Sequence, residues 1–167
     1  ISQHYRERYR LEVPACRIVV TAGASGALLI AAGVLVNPGD EILMPDPAYP
    51  CNRHFVRFFE GQVKNIPVGP RTQYQLTREL IEANWSEKTR GVLIASPSNP
   101  TGTLIAPDEM RAIVEAVQAR GGVTIVDEIY QGLTYASGFA SALAYSDRVF
   151  VVNSFSKYFS MTGWRLG

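Results

Sequence analysis

Along the chain, short runs with apolar residues at consecutive positions alternate with stretches of helical periodicity. The runs fall at residues 17–21, 41–45, 62–67, 91–95, 123–127 and 149–153. Unbroken apolar character suits strands that are covered on both faces. Between them, helical patterns span residues 2–10, 25–36, 49–60, 76–83 and 107–119. The last of these has clear boundary signals: Pro107 opens it, Asp108 and Glu109 follow in the first turn, and Gly121-Gly122 ends it. Strands alternating with helices predict an α/β domain, a mostly parallel sheet with helices on both faces.

The polar residues with chemical potential cluster where the predicted strands end, at 23–26, 46–49, 96–102, 127–130 and 154–157. Open parallel sheets bind ligands outside the carboxyl ends of their strands. The clustering therefore predicts one shared crevice.

Composition narrows the choice of partner. A chain of 167 residues with 47% hydrophobic and 19% charged positions is an ordinary globular domain. Its formal charge of +1 provides no basic stripe for nucleic acid. Arg6, Arg8 and Arg10 are diluted by Glu7 and Glu12 and read as a solvated helix face. The stretch 22–36 is too short and too rich in glycine for a membrane span. Cys16 and Cys51 lack metal-ligand spacing and read as small buried thiols in a reducing compartment, and two histidines are too few for a multi-histidine metal site. The chain opens on Ile1-Ser2-Gln3-His4, without an initiator methionine or a leader pattern, so we expect a piece of a longer protein.

Each cluster has a definite chemical capacity. TAGASGAL (21–28) joins a predicted strand to a helix rich in small residues, where backbone N–H groups can meet an anion and Ser25 can add a hydroxyl. A tight packing turn would need the same residues. PDPAYP (45–50) sets Tyr49 where it could stack on a planar ring or merely line the rim. SPSNPTG (96–102) holds the amide of Asn99 on a proline-stiffened turn. In VDEIY (126–130), Asp127 ends an apolar strand and needs a partner. A protonated heterocyclic nitrogen, an arginine or a helix cap would each serve. Lys157 follows the apolar run Val149-Phe150-Val151-Val152; desolvation there would make its amine nucleophilic toward carbonyls. Arg165 is a permanent cation suited to phosphate.

Taken in order, TAGASGAL, PDPAYP, SPSNPTG, VDEIY and SFSKYFSMTGWRLG resemble the fold-type-I pyridoxal-phosphate enzymes, in particular the class I/II aminotransferases, from Tyr5 to Gly167. The resemblance implies roles for individual residues. Lys157 would hold pyridoxal 5′-phosphate as a Schiff base and shuttle a proton between substrate Cα and C4′. Asp127 would keep the pyridine nitrogen protonated, so that the ring acts as an electron sink. Tyr130 and Asn99 would hydrogen-bond the ring's 3-oxygen, and Tyr49 would stack on the ring. Ala24, Ser25, Ser154 and Arg165 would cradle the phosphate, with Ser156 a weaker candidate.

The same resemblance implies a cytoplasmic homodimer acting on an amino acid and a 2-oxo acid. Residues 1–167 would form part of the large cofactor-binding domain. The N-terminal arm, the rest of that domain, the small C-terminal domain and the arginine for the substrate carboxylate would lie outside. So would the tyrosine that reaches across the dimer to the phosphate, which leaves this piece inactive alone. Two other readings share these motifs: lyases of the same fold, of the aminocyclopropane-carboxylate synthase or β-lyase type, and the aminotransferase-like sensor domain of certain transcription regulators.

Overall fold

A computed structural model describes residues 1–135 and 140–167. The elements run α1 (Ser2–Tyr9), α2 (Gly23–Leu35), β1 (Glu41–Asp46), α3 (Asn52–Phe58), β2 (Gln62–Pro67), α4 (Arg78–Asn84), β3 (Thr89–Ala95), α5 (Pro107–Ala119), β4 (Val123–Asp127) and β5 (Phe150–Val152). The strands form one five-stranded sheet in the order β2-β1-β3-β4-β5. Every pairing is parallel.

Side chains alternate across the sheet, and the two faces carry separate cores. Leu43, Val92, Ile94 and Val126 pack with Ile81 of α4 and with Ile113, Val114 and Val117 of α5. Ile42, Met44, Leu93, Ile125 and Val152 pack on the other face with Leu28, Ala31 and Ala32 of α2 and Val56 of α3. This explains the unbroken apolar runs: each residue of a central strand meets a helix on one side or the other. α5 begins at Pro107, as its sequence requires, and Gly121 leaves the helix at φ +72°.

Two expectations fail. Residues 17–21 do not form a strand; residues 15–17 make a 3-10 turn, and Val19 and Val20 are 70% and 61% exposed. Among the described residues the segment has a single partner of strand type, Gly167. Thr21 N–H donates to Gly167 O at 2.8 Å, and Gly167 N–H donates to Thr21 O at 3.0 Å. One rung does not make a ladder.

The cysteines are not both buried either. Cys16 lies on that surface turn, and Cys51 is half-buried at the start of α3. Arg6, Arg8 and Arg10 are all exposed, as a solvated face requires, and two of them make surface contacts. Arg6 pairs with Glu12 at 2.8 Å, and the Arg8 guanidinium lies 5.0 Å from the centroid of the Tyr158 ring.

From β1 the chain steps outward to β2, then returns past β1 to β3, β4 and β5. The strand order therefore reverses between β1 and β3. At such a switch point the loops leaving the strand ends part and open a crevice. The loops leaving β1 and β3 are PDPAYP and SPSNPTG.

Candidate active site

The loops at the carboxyl ends of the strands are tied to one another by short bonds. Ser96 N–H, just past β3, donates to Asp127 O at 3.1 Å, and Glu128 N–H donates to Val152 O at 2.7 Å. The third loop folds back on itself, with Phe155 N–H donating to Leu166 O at 3.0 Å. That bond sets Ser154 and Arg165 on adjacent limbs.

The folded-back loop also meets the start of α2. A Cβ built on Gly23 would stand 2.5 Å from Arg165 Nη2, and Gly23 has φ +75°. The backbone conformation favours glycine at this position, and a Cβ there would also displace the guanidinium. The first turn of α2 directs free N–H groups at the same place, including those of the buried Ala24 and the exposed Ser25. The Arg165 Nη1 donates to Thr162 O at 3.0 Å, which anchors the side chain across the loop. A helix N-terminus, a serine hydroxyl and a fixed cation suit a phosphate dianion.

Asp127 ends β4 with only 8% of its surface exposed. Its carboxylate accepts the Ile129 N–H at 3.0 Å, and burial pushes its pKa up to about 6 from 3.8. Among the described residues no ion pair reaches it, so the arginine partner considered from sequence is absent there. A buried carboxylate without a cation is costly, and a protonated ring nitrogen would offset its charge.

Tyr49 is 37% exposed. Its pKa is raised first by the neighbouring Cys51 through hydrogen bonding and charge, then by burial, then by Tyr130 and Asp127.

Lys157 Nζ lies 5.8 Å from the centroid of the Tyr130 ring, within reach of a cation–π contact. The lysine is exposed, so the desolvation expected from the preceding apolar run is not realised in this chain. Burial continues past β5 at Ser154 and Ser156, but the side chain of Lys157 lies on the exposed side of that loop. Asn99 is half-buried in its loop. Ser154 and Ser156 are both buried. Ser154 Oγ accepts the Ser156 N–H at 3.1 Å, and Ser156 O accepts the Thr162 hydroxyl at 2.7 Å. The backbone of Ser156 is thus committed to shaping the loop.

Among the buried polar residues that sequence reading missed, two lie next to the strand-end loops. Glu128 is fully buried, and its Oε1 accepts the Ala142 N–H at 2.7 Å. Gln75 is 3% exposed and reaches into the SPSNPTG loop. Gln75 lies in a polar stretch that does not announce burial, and Glu128 follows the apolar strand β4 by one residue. Among the described residues no cluster of His, Cys, Asp or Glu could hold a metal, and no helix is long and apolar enough to cross a membrane.

The fold is a parallel α/β domain whose strand-end loops carry a helix N-terminus beside an arginine, a buried carboxylate and a lysine. The chain belongs to the family Aminotransferase class I and II, whose sequence profile matches residues 1–167. It is 41% identical over 169 residues to a valine–pyruvate aminotransferase of Mycobacterium tuberculosis, covering 100% of this chain and 43% of that protein. It is 35% identical over 170 residues to an aspartate aminotransferase of Thermotoga maritima, covering 100% of this chain and 45% of the relative.

The crystal structure of an aminotransferase from Mycobacterium tuberculosis superposes with a TM-score of 0.95 at 41% identity, covering 99% of this chain and 43% of that one. Aspartate aminotransferase from Thermus thermophilus with maleate gives a TM-score of 0.94 at 27% identity, covering 99% and 44%. The chain spans less than half the length of the curated relatives it matches.

Proposed function

We propose that these residues hold pyridoxal 5′-phosphate within a longer protein that moves an amino group from an amino acid to a 2-oxo acid. The observation that carries the reading is Asp127, a buried carboxylate with one N–H donor and no cation among the described residues. Family membership supports it, since class I and II aminotransferases use this cofactor.

The residues present fit the group. Bound pyridoxal phosphate supplies an aldehyde for amine exchange and a pyridinium ring that withdraws electrons. Asp127 would keep the proton on the ring nitrogen through a charge-assisted hydrogen bond worth about 1.5–3 kcal/mol. Lys157 would offer its amine to the aldehyde and, when free, would act as the base that moves the substrate proton. Tyr130 and Asn99 would donate to the 3-oxygen, and Tyr49 would flank the ring. The N–H groups of Ala24 and Ser25, the Ser25 and Ser154 hydroxyls and Arg165 would receive the phosphate. Ser156 contributes chiefly by holding the loop.

In this reading residues 1–167 are most of the cofactor half of a large domain that works as a homodimer. Apolar surface left on α2, with Ile30 52% and Val34 70% exposed, supports a further protein surface there. The relatives named above are aminotransferases, which weighs against the lyase and regulator alternatives. The test is to incubate the full-length protein, cofactor and candidate amino acids with a 2-oxo acid. Amine transfer is expected; release of ammonia and pyruvate without transfer would refute the proposal in favour of a lyase.

A further inference from the structure

The loop that carries Asn99 is held at both stems by one side chain. Gln75 Nε2 donates to Ala95 O at 3.1 Å, on the last residue of β3, and to Thr103 O at 2.9 Å, just past the loop. These carbonyls lie 20 and 28 positions along the chain from Gln75. Both acceptors are carbonyl oxygens, so only an NH2 group can serve them, and the orientation of the amide follows.

Between the stems the loop closes on itself. Ser98 N–H donates to Thr103 O at 2.9 Å and Gly102 N–H to Ser98 O at 2.8 Å, while Ser96 Oγ accepts the Ile105 N–H at 3.0 Å. Thr103 O thus receives both the loop's own bond and the Gln75 amide.

The amide is kept here against local preference. Gln75 Oε1 is buried with no partner among the described residues, which an apolar side chain of equal size would avoid. The two residues before it, Gln73 and Tyr74, both stand in the left-handed region at φ 52° and 57°, although neither is glycine. Local strain and an unmatched oxygen are both tolerated where the side chain enters the loop. The two stem bonds are the interactions that set against them.

We propose that Gln75 is a positioning residue for Asn99, fixing the loop so that the Asn99 amide meets the cofactor's 3-oxygen. This rests on the function proposed above. A clamp that favours the cofactor-competent loop must, by linkage, be tightened when the cofactor binds.

The test uses the full-length protein and begins with wild type. A visible band on adding pyridoxal phosphate, lost in Lys157→Ala, establishes the cofactor reading; without that band, the functional reading fails. Given the band, the pH midpoint of its absorbance is measured for Asn99→Ala, Gln75→Met, Gln75→Glu and Asn99→Ala/Gln75→Met. Met preserves volume without donors, and Glu preserves shape while setting oxygen against two carbonyls.

Both Gln75 variants are expected to move the midpoint in the direction of Asn99→Ala. Cofactor dissociation is expected to rise about three- to tenfold, the scale of losing one to two net hydrogen bonds. The double variant is expected to shift no further than Asn99→Ala, because the two residues act through one contact. Amide exchange at Ser98 and Gly102 should quicken by about tenfold or more in the Gln75 variants.

A lowered melting temperature with an unmoved midpoint, or a fully additive double variant, would overturn the proposal. If neither Gln75 variant folds, exchange of the Gln75 side-chain NH2 protons in wild type decides. Slower exchange on cofactor loading is expected, and unchanged exchange would equally overturn it.

Discussion

Asp127→Asn should make the cofactor-free protein more stable while making it a worse cofactor binder. The carboxylate is buried at the end of β4, accepts one N–H from Ile129, and has its pKa pushed from 3.8 to about 6 by burial. A shift of about 2 units corresponds to roughly 3 kcal/mol of penalty for holding the charged form in the folded state. The sign follows from proton binding. The folded pKa lies above the unfolded one, so the folded state is favoured while the group is protonated and loses that advantage as pH rises through about 6.

Asparagine keeps an acceptor for Ile129 N–H and cannot ionise. The variant's gain over wild type should therefore be near zero below pH 3.8, grow between there and about 6, and level off above. With pyridoxal phosphate the order reverses, because a pyridinium partner offsets the penalty in wild type and asparagine cannot supply the opposing charge. The assay is denaturant unfolding of wild type and variant across that pH range, with and without cofactor. A variant less stable than wild type near neutral pH without cofactor would refute the reasoning. So would a gain that does not shrink on acidification, or cofactor stabilisation equal in the two proteins.

Glu128→Ala should cost about 1–3 kcal/mol in denaturant unfolding, because it strips the Ala142 N–H of its buried acceptor. Glu128→Gln keeps that acceptor. Because burial pushes the Glu128 pKa up to about 7 from 4.5, the glutamine variant's stability relative to wild type should rise with pH across that window. Gly23→Ala meets a left-handed backbone and the Arg165 guanidinium together. About 1–2 kcal/mol of strain is expected in thermal unfolding, together with weaker phosphate and cofactor binding by titration.

The central strands were legible because burial on both faces demands apolar residues at consecutive positions. β2 and β4 begin and end where the pattern does. α5 was equally plain, since its proline, acidic first turn and terminal glycines are local signals. Residues 17–21 carry the same apolar character, but a strand needs a neighbour, and theirs amounts to one rung with Gly167. The motif residues were readable as chemistry, and their convergence follows from strand order. Gln75 was not readable, because its function depends on two carbonyls far along the chain. The exposure of Lys157 was hidden for a related reason, as the loop after β5 buries Ser154 and Ser156 while leaving the adjoining lysine exposed.

The central claim is that Lys157 is where the cofactor attaches. Full-length protein loaded with pyridoxal phosphate, reduced with borohydride and digested, should yield one modified peptide carrying the pyridoxyl group on Lys157. Lys157→Ala should show neither the label nor the visible band. A label on another lysine, or a band that persists in the variant, would contradict the account.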